Sequence, residues 1–252
     1  MSSAPRSIPT EDRISNLPDS VIYHILSFLP TKQSAATSIL SKKWNPLWLS
    51  VLALDFETQD FADFAAFRHF VYSVMLSRNI TLPIRSLRLK CGKSYGFDAH
   101  DVNRFIQAAV QRGIQNLNLD MCFYQFNLDT WTLFQLPECV LTCNSLTVLK
   151  LKQIKILPSE GSTNRHEIGD DDSVDPSIVP KCLSSELRTC SLLAYEGTKC
   201  EFQFAEYILK NAKTLHTMKI SASKVDLNIK HQMLLKLSLC PRGSATCKLS
   251  FD

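Results

Sequence analysis

Four consecutive residues, Cys91-Gly92-Lys93-Ser94, have the types that close a phosphate-binding loop, where backbone N–H groups cradle phosphates and the lysine reaches the terminal one. That loop needs another glycine five positions before Gly92. Leu87 stands there, inside an apolar run, so nucleotide binding by this route is rejected. Metal chemistry finds no better footing. The six histidines, at 24, 69, 100, 166, 216 and 231, form no H-x-x-x-H pair, and the nine cysteines form no C-x2-C pair. Cys139 and Cys143 lie one helical turn apart, a spacing that suits packing of reduced thiols. No carboxylate pair sits in a glycosidase-like motif, and neither zinc pairs nor a dedicated nucleophile are present for thioester-type ligase work. The sequence is expected to be non-catalytic and to take no cofactor. Its function should lie in binding.

A binding surface needs elements to position it. The chain has 252 residues, 45% apolar and 21% charged, with Gly 7. Scarce glycine argues against a tightly turned sandwich or barrel and favours helices or stacked repeats. The net charge of +4 is spread thinly, Lys42-Lys43 being its longest basic run, so neither nucleic acid nor a membrane surface is an expected partner. No apolar stretch approaches 18 residues and MSSAPRSIPTEDR has no apolar signal core, which points to the cytoplasm or nucleus. Asn79-Ile80-Thr81 fits a glycosylation sequon and reads as a chance match on a loop.

Residues 1–11 lack apolar periodicity and read as a disordered leader. In NLPDSVIYHILSFLP, Pro18 suits the first helical position, and Ile22, Ile25, Leu26 and Leu29 follow helical spacing until Pro30. A second helix over Lys32–Lys43 is predicted, capped by Thr31 and burying Ala35, Ala36, Ile39 and Leu40. Beyond it a six-residue frame, apolar at positions 1, 4 and 6, recurs from residues 51, 84, 114, 146, 187, 215 and, more weakly, 246. Successive starts differ by 33, 30, 32, 41, 28 and 31 residues. Alternation within each frame is a strand signal. Between frames, helical patterns appear, as in DFADFAAFRHFVYSVML and in DAHDVNRFIQAAVQRG, the latter ending at Gly113. Strand, loop and helix thus repeat, which predicts stacked parallel strands with helices on the convex side. The longest step contains PSEGSTNRHEIGDDDSVDP, residues 158–176, an acidic stretch that reads as a solvated loop and marks the best boundary between a middle and a C-terminal domain.

The segment DRISNLPDSVIYHILSFLPTKQSAATSILSKKWNPLW resembles the F-box motif over its whole length, through Leu17-Pro18, Ile22, Leu26, Leu29-Pro30, the run Ser38 to Trp44 and Leu47-Trp48. Lys43 departs from the family, where arginine is common. The last 75 or so residues resemble the FBD domain through IVPKCLSSELRTCSLLAYEG, the Tyr195-x-Gly197 turn, the Tyr207-Ile-Leu-Lys-Asn-Ala helix and the Pro-Arg-x-Ser-x-x-Cys ending at Pro241 to Cys247. The chain is therefore similar to plant F-box, leucine-rich-repeat and FBD proteins. That resemblance implies an α/β architecture: an F-box helical bundle over 12–50, an irregular leucine-rich-repeat solenoid over 51–157, the acidic loop, and an FBD domain over 177–252 closing the solenoid.

It further implies a substrate receptor that docks a Skp-type adaptor, and through it a cullin-RING ubiquitin ligase, while the repeats hold a protein target. Leu17, Pro18, Ile22, Leu26, Leu29, Pro30, Leu40, Ser41 and Lys43 are the implied adaptor contacts. Of the bundle, Ile25, Trp44, Leu47 and Trp48 are assigned to its core. Relatives carry several more repeats where this chain has the acidic loop, which leaves a truncated scaffold or decoy as the second reading.

Overall fold

The computed structural model describes residues 14, 16–92, 97–121, 134–155, 181–222 and 226–252. The expected leader and the acidic loop at 158–176 lie outside the described residues. Three short helices open the fold: α1 (Asp19–Ser27), α2 (Thr31–Ala36) and α3 (Trp44–Leu47). They enclose a small core of Ile22, Leu26, Trp44, Leu47 and Val51. Strand β1 (Ala53–Glu57) comes after them, then α4 (Phe64–Ser77), β2 (Ser86–Cys91), α5 (Ala99–Gln111) and β3 (Asn116–Met121). After these come β4 (Phe134–Gln135), α6 (Glu138–Leu141), β5 (Val148–Lys152), β6 (Ile154–Lys155) and α7 (Lys181–Ser185). The chain finishes with β7 (Thr189–Tyr195), α8 (Lys199–Asn211), β8 (Thr217–Ala222), α9 (Leu227–Ser238) and β9 (Lys248–Phe251).

The seven longer strands form one sheet in the order β1-β2-β3-β5-β7-β8-β9, every neighbour parallel. The recurring frames set its register. Position 4 of each frame lines up as Leu54, Leu87, Leu117, Leu149, Cys190, Met218 and Leu249, and position 6 as Phe56, Leu89, Leu119, Leu151, Leu192, Ile220 and Phe251. In the first six strands every one of these side chains is buried. Helices cover that face, and one apolar cluster runs from Leu54 to Cys247, passing from β5 to β7 without interruption. Each large aliphatic side chain so enclosed contributes about 1.5–3 kcal/mol relative to exposure.

Helix starts are chemically marked. Asp63 accepts from Ala66 N at 2.8 Å, Asp98 from His100 N at 2.8 Å, and Thr198 forms a reciprocal capping box with Glu201. Helix α4 therefore begins at Phe64, so Phe61 lies before it, not on the helical face the sequence assigned to it. Helix α5 ends as expected, with Gly113 at φ 73°. Between α4 and α5, buried Asp101 accepts from Tyr72 Oη at 2.7 Å and pairs with Arg68 at 3.3 Å. Ala194, at φ 56°, marks a bulge where the β7–β8 register shifts and Tyr195 turns inward. The two-residue pair β4–β6 has no counterpart in the sequence pattern.

The buried thiols give the core a chemical readout. Burial, reinforced by Asp120 for Cys91 and by Cys247 for Cys190, pushes both thiols up to about 12. Alkylation requires thiolate. Native protein at mildly alkaline pH should leave Cys91 and Cys190 unmodified, whereas denatured protein should be labelled at both, as mass spectrometry of peptides would show. Because the folded state resists ionisation that the unfolded chain permits from about pH 8.5, their stabilising effect is complete below that pH and is lost as pH rises towards about 12. Labelling of native Cys190 as fast as in denaturant would contradict this packing.

Candidate functional site: the outer face of the helical bundle and the polar face of the sheet

Helix α1 is apolar on two sides. Ile22 and Leu26 face inward with no exposed surface, while Val21, Ile25 and Phe28 recur at helical spacing on the outside, Phe28 at 75% exposure. Helix α2 sets this orientation. Ser34 Oγ donates to Leu26 O at 3.1 Å, and Thr31 Oγ1 accepts from Asp55 N of β1 at 2.8 Å. Those two polar residues of α2 point inward, so its apolar neighbours point out.

This corrects the predicted second helix. The α-helix covers only Thr31–Ala36, passes into a 3-10 turn over Thr37–Ile39, and restarts at Trp44. Pro30 sits at its N-cap, with Thr31 engaged on β1 instead of capping. Ala36 is exposed, and Ile39 and Leu40 are 86% and 57% exposed where burial was expected. Among the implied adaptor contacts, Pro18 and Leu40 are exposed, and Leu17, Leu29, Pro30, Ser41 and Lys43 are partly so. Ile22 and Leu26 are different: both are fully enclosed, so their side chains hold the bundle together and offer no surface. Of the expected core set, Trp44 and Leu47 are buried and Trp48 packs against both apolar clusters, but Ile25 is 39% exposed.

Lys43 ties the two ends of the bundle. Its ammonium donates to Leu17 O at 2.6 Å and pairs with Asp19 at 3.3 Å. The exposed apolar side chains that sequence reasoning missed are Val21, Ile25, Phe28 and Ile39, and the implied contact Leu40 is exposed as well. A usable signal existed in the two apolar stripes of α1, but spacing could not say which stripe faced the core.

On the sheet, the face opposite the helices is polar and its charges pair across strands. Asp55 meets Arg88 at 2.7 Å, Asp120 meets Lys152 at 3.0 Å, Asp252 meets Lys219 at 2.6 Å, and Glu57 meets Lys90. Such partly exposed pairs contribute roughly 0–1 kcal/mol each. On the middle strand, exposed Lys150 lies in register between Asn118 and Ser191, with no acidic neighbour on either side. Among the described residues no group of three His, Cys, Asp or Glu side chains converges on a common point.

Comparison with known proteins adds to this geometry. Residues 14–53 match the F-box domain family and residues 175–220 match the FBD family. An Arabidopsis thaliana F-box/FBD/LRR-repeat protein is 36% identical over 148 residues, covering 58% of this chain and 31% of the relative. An FBD-associated F-box protein from the same plant is 38% identical over 147 residues, 58% of this chain and 33% of its own. A further F-box/FBD/LRR-repeat protein of that species is 33% identical over 188 residues, 69% of this chain and 39% of the relative. The chain thus spans about a third of the length of the curated relatives it matches. No solved structure matches it. With an F-box matched on the helical bundle, an FBD matched across β7 and β8, and relatives that carry both, the chain belongs to the plant F-box/FBD family.

Proposed function

We propose that this chain is a substrate-recognition subunit of a Skp-cullin-F-box ubiquitin ligase. F-box proteins generally act in that role. The observation that carries the reading is the division of labour within the bundle: an inner face fastened to β1, and apolar surface exposed on the outside at Val21, Ile25, Phe28, Ile39 and Leu40. Exposed apolar surface of this kind marks interaction sites, and the adaptor is the partner the F-box match suggests. On this reading the stacked strands behave as an irregular leucine-rich-repeat solenoid, with 51–157 as the repeat region and 177–252 as the FBD end that completes it. The polar sheet face around Lys150 would meet the protein target, the ubiquitin chemistry would reside in partners, and the complex would act in the cytoplasm or nucleus.

The test is binding of a plant Skp-type adaptor to the 252-residue chain carrying Ile39→Asp together with Leu40→Asp. Both positions are exposed, so the melting temperature should stay within a few degrees, while affinity should fall roughly 30-fold or more if they are central anchors of about 2 kcal/mol. Undiminished adaptor binding would remove this face from the interface. Adaptor capture without recruitment of a cullin would favour the scaffold or decoy reading.

A further inference from the structure

The frame that builds the sheet also sorts charge. Positions 1, 4 and 6 are buried in the first six strands, so positions 2, 3 and 5 look away from the helices. A fork at the strand start puts 2 and 3 on the same side: Arg188 N and Thr189 N both donate to Thr147 O, as Arg85 N and Ser86 N both donate to Leu52 O. At positions 2, 3 and 5 of all seven frames the one acid is Asp55. The cations there are Arg85, Arg88, Lys150, Arg188, Lys219 and Lys248. Arg88 is matched by Asp55 and Lys219 by Asp252, while Glu57 and Asp120, placed towards the far ends of their strands, are held by Lys90 and Lys152. Arg85, Lys150, Arg188 and Lys248 are exposed and belong to no ion pair among the described residues. This surplus is invisible along the sequence, where a whole repeat or more separates one of the four from the next. It appears when the strands stack.

From β2 to β9 these four cations stand on strands two, one and two places apart, which at about 4.8 Å per strand is roughly 10, 5 and 10 Å across the sheet. An extended chain advances about 3.3 Å per residue, so acids about three residues apart match the wider gaps. Between the cations stand short polar side chains, Asn116, Asn118, Thr189 and Thr217, able to bond the N–H and C=O groups of a peptide. No Phe, Tyr or Trp occupies positions 2, 3 or 5, so the face offers bases no platform to stack on. Its cations are also far sparser than duplex phosphates, at about one charge per 1.7 Å. We infer that this face receives an extended acidic segment of the protein target, whose Asp or Glu side chains meet Arg85, Lys150, Arg188 and Lys248 as it crosses the strands. The inference rests on the proposed role of the sheet face in target binding and adds the chemistry of the target. Complementary charge of this kind decides which partner is accepted and how fast it arrives.

The probe is a fluorescein-labelled peptide of about ten residues, long enough to cross from β2 to β9, with Asp at every third position among Ser and Gly. Fluorescence polarisation with the full 252-residue chain should show binding that weakens steeply between low salt and about 0.5 M NaCl. The same peptide with Asn in place of Asp should bind at least about tenfold more weakly. Lys150→Glu together with Arg188→Glu should also lose about tenfold or more, and both side chains are exposed, so the fold should stand. Lys42→Glu together with Lys236→Glu, exposed positions away from the sheet, changes net charge equally and should lose less than about twofold. Equal losses for the two double variants would mean attraction by net charge alone and would overturn the proposal. Tighter binding of a single-stranded oligonucleotide of the same charge would overturn it in favour of nucleic acid. A gain above about threefold when Asp170, Asp171 and Asp172 are changed to Asn would overturn it in favour of the chain's own acids, because a resident occupant lowers apparent affinity by the fraction it leaves free. Adaptor affinity, read on the same samples, tests the ligase role separately. Peptide discrimination without adaptor binding would remove that role and support this surface, while adaptor binding without peptide discrimination would overturn this surface alone.

Discussion

Replacing Leu119 with Asp should abolish folding, while replacing its neighbour Asn118 with Asp should leave stability within about 0.5 kcal/mol. The two residues sit side by side on β3 and point to opposite faces. Leu119 is fully buried between Leu89 and Leu151 in the row that carries position 6 of every frame. Truncation there to Ala would already cost about 2–5 kcal/mol, and a carboxylate adds the larger cost of a buried, unpaired charge. A domain with a stability of about 5–15 kcal/mol does not absorb that sum. Asn118 lies on the polar face between Arg88 and Lys150, where an added carboxylate meets cations. Circular dichroism and thermal melting of the two variants would check the pair. A cooperative melt for Leu119→Asp would show that this row is not core.

The contrast explains why the sheet was legible in the sequence. A strand has period 2, so the two apolar positions 4 and 6 of each frame are enough to fix which side faces the core, and a one-residue slip would reverse everything. Recurrence of the frame then supplied the register, because repeats that stack must align equivalent positions. The 41-residue step did not disturb this. Leu187, Cys190 and Leu192 come directly after Leu146, Leu149 and Leu151 in space, since insertion length does not alter the pairing of the flanking strands.

The helical bundle was less legible for a physical reason. With apolar residues on two sides of α1 and only six residues in α2, the period of 3.6 identifies helices without choosing a face. The choice was made by polar contacts between elements, Thr31 with Asp55 on β1 and Ser34 with Leu26 on α1, that no apolar period encodes. Ile22 and Leu26 consequently moved from the implied interface into the core, and Ile25 moved the other way. The β4–β6 pair was invisible because two residues carry no periodicity at all.

The second large effect concerns a position the sequence pattern leaves open, the unspecified residue of Pro-Arg-x-Ser-x-x-Cys. Gly243 N donates to Leu209 O at 2.8 Å, satisfying one of the last carbonyls of α8 that the helix itself cannot pair. This approach is so close that a Cβ on residue 243 would stand 2.3 Å from the Lys210 carbonyl oxygen. The obstacle is backbone at the end of a helix, so it cannot swing aside as a side chain would. Around Gly243 the loop is held from both sides: Ser244 is buried, and Arg242 Nη1 donates to Cys247 O at 3.0 Å just before β9. Gly243→Ala should therefore cost roughly 2–4 kcal/mol, from overpacking and the lost hydrogen bond together. For a chain of this size that corresponds to a fall in melting temperature of roughly 5–15 °C. Gly113→Ala provides the comparison. Its Cβ would meet nothing within 4 Å, and only the left-handed backbone at φ 73° resists it, which limits the loss to about 1–2 kcal/mol. Thermal melts of the two variants side by side distinguish close approach from backbone conformation. If Gly243→Ala melted at or above Gly113→Ala, the loop before β9 would not rest on the end of α8, and the seating of β9 against β8 would need another cause.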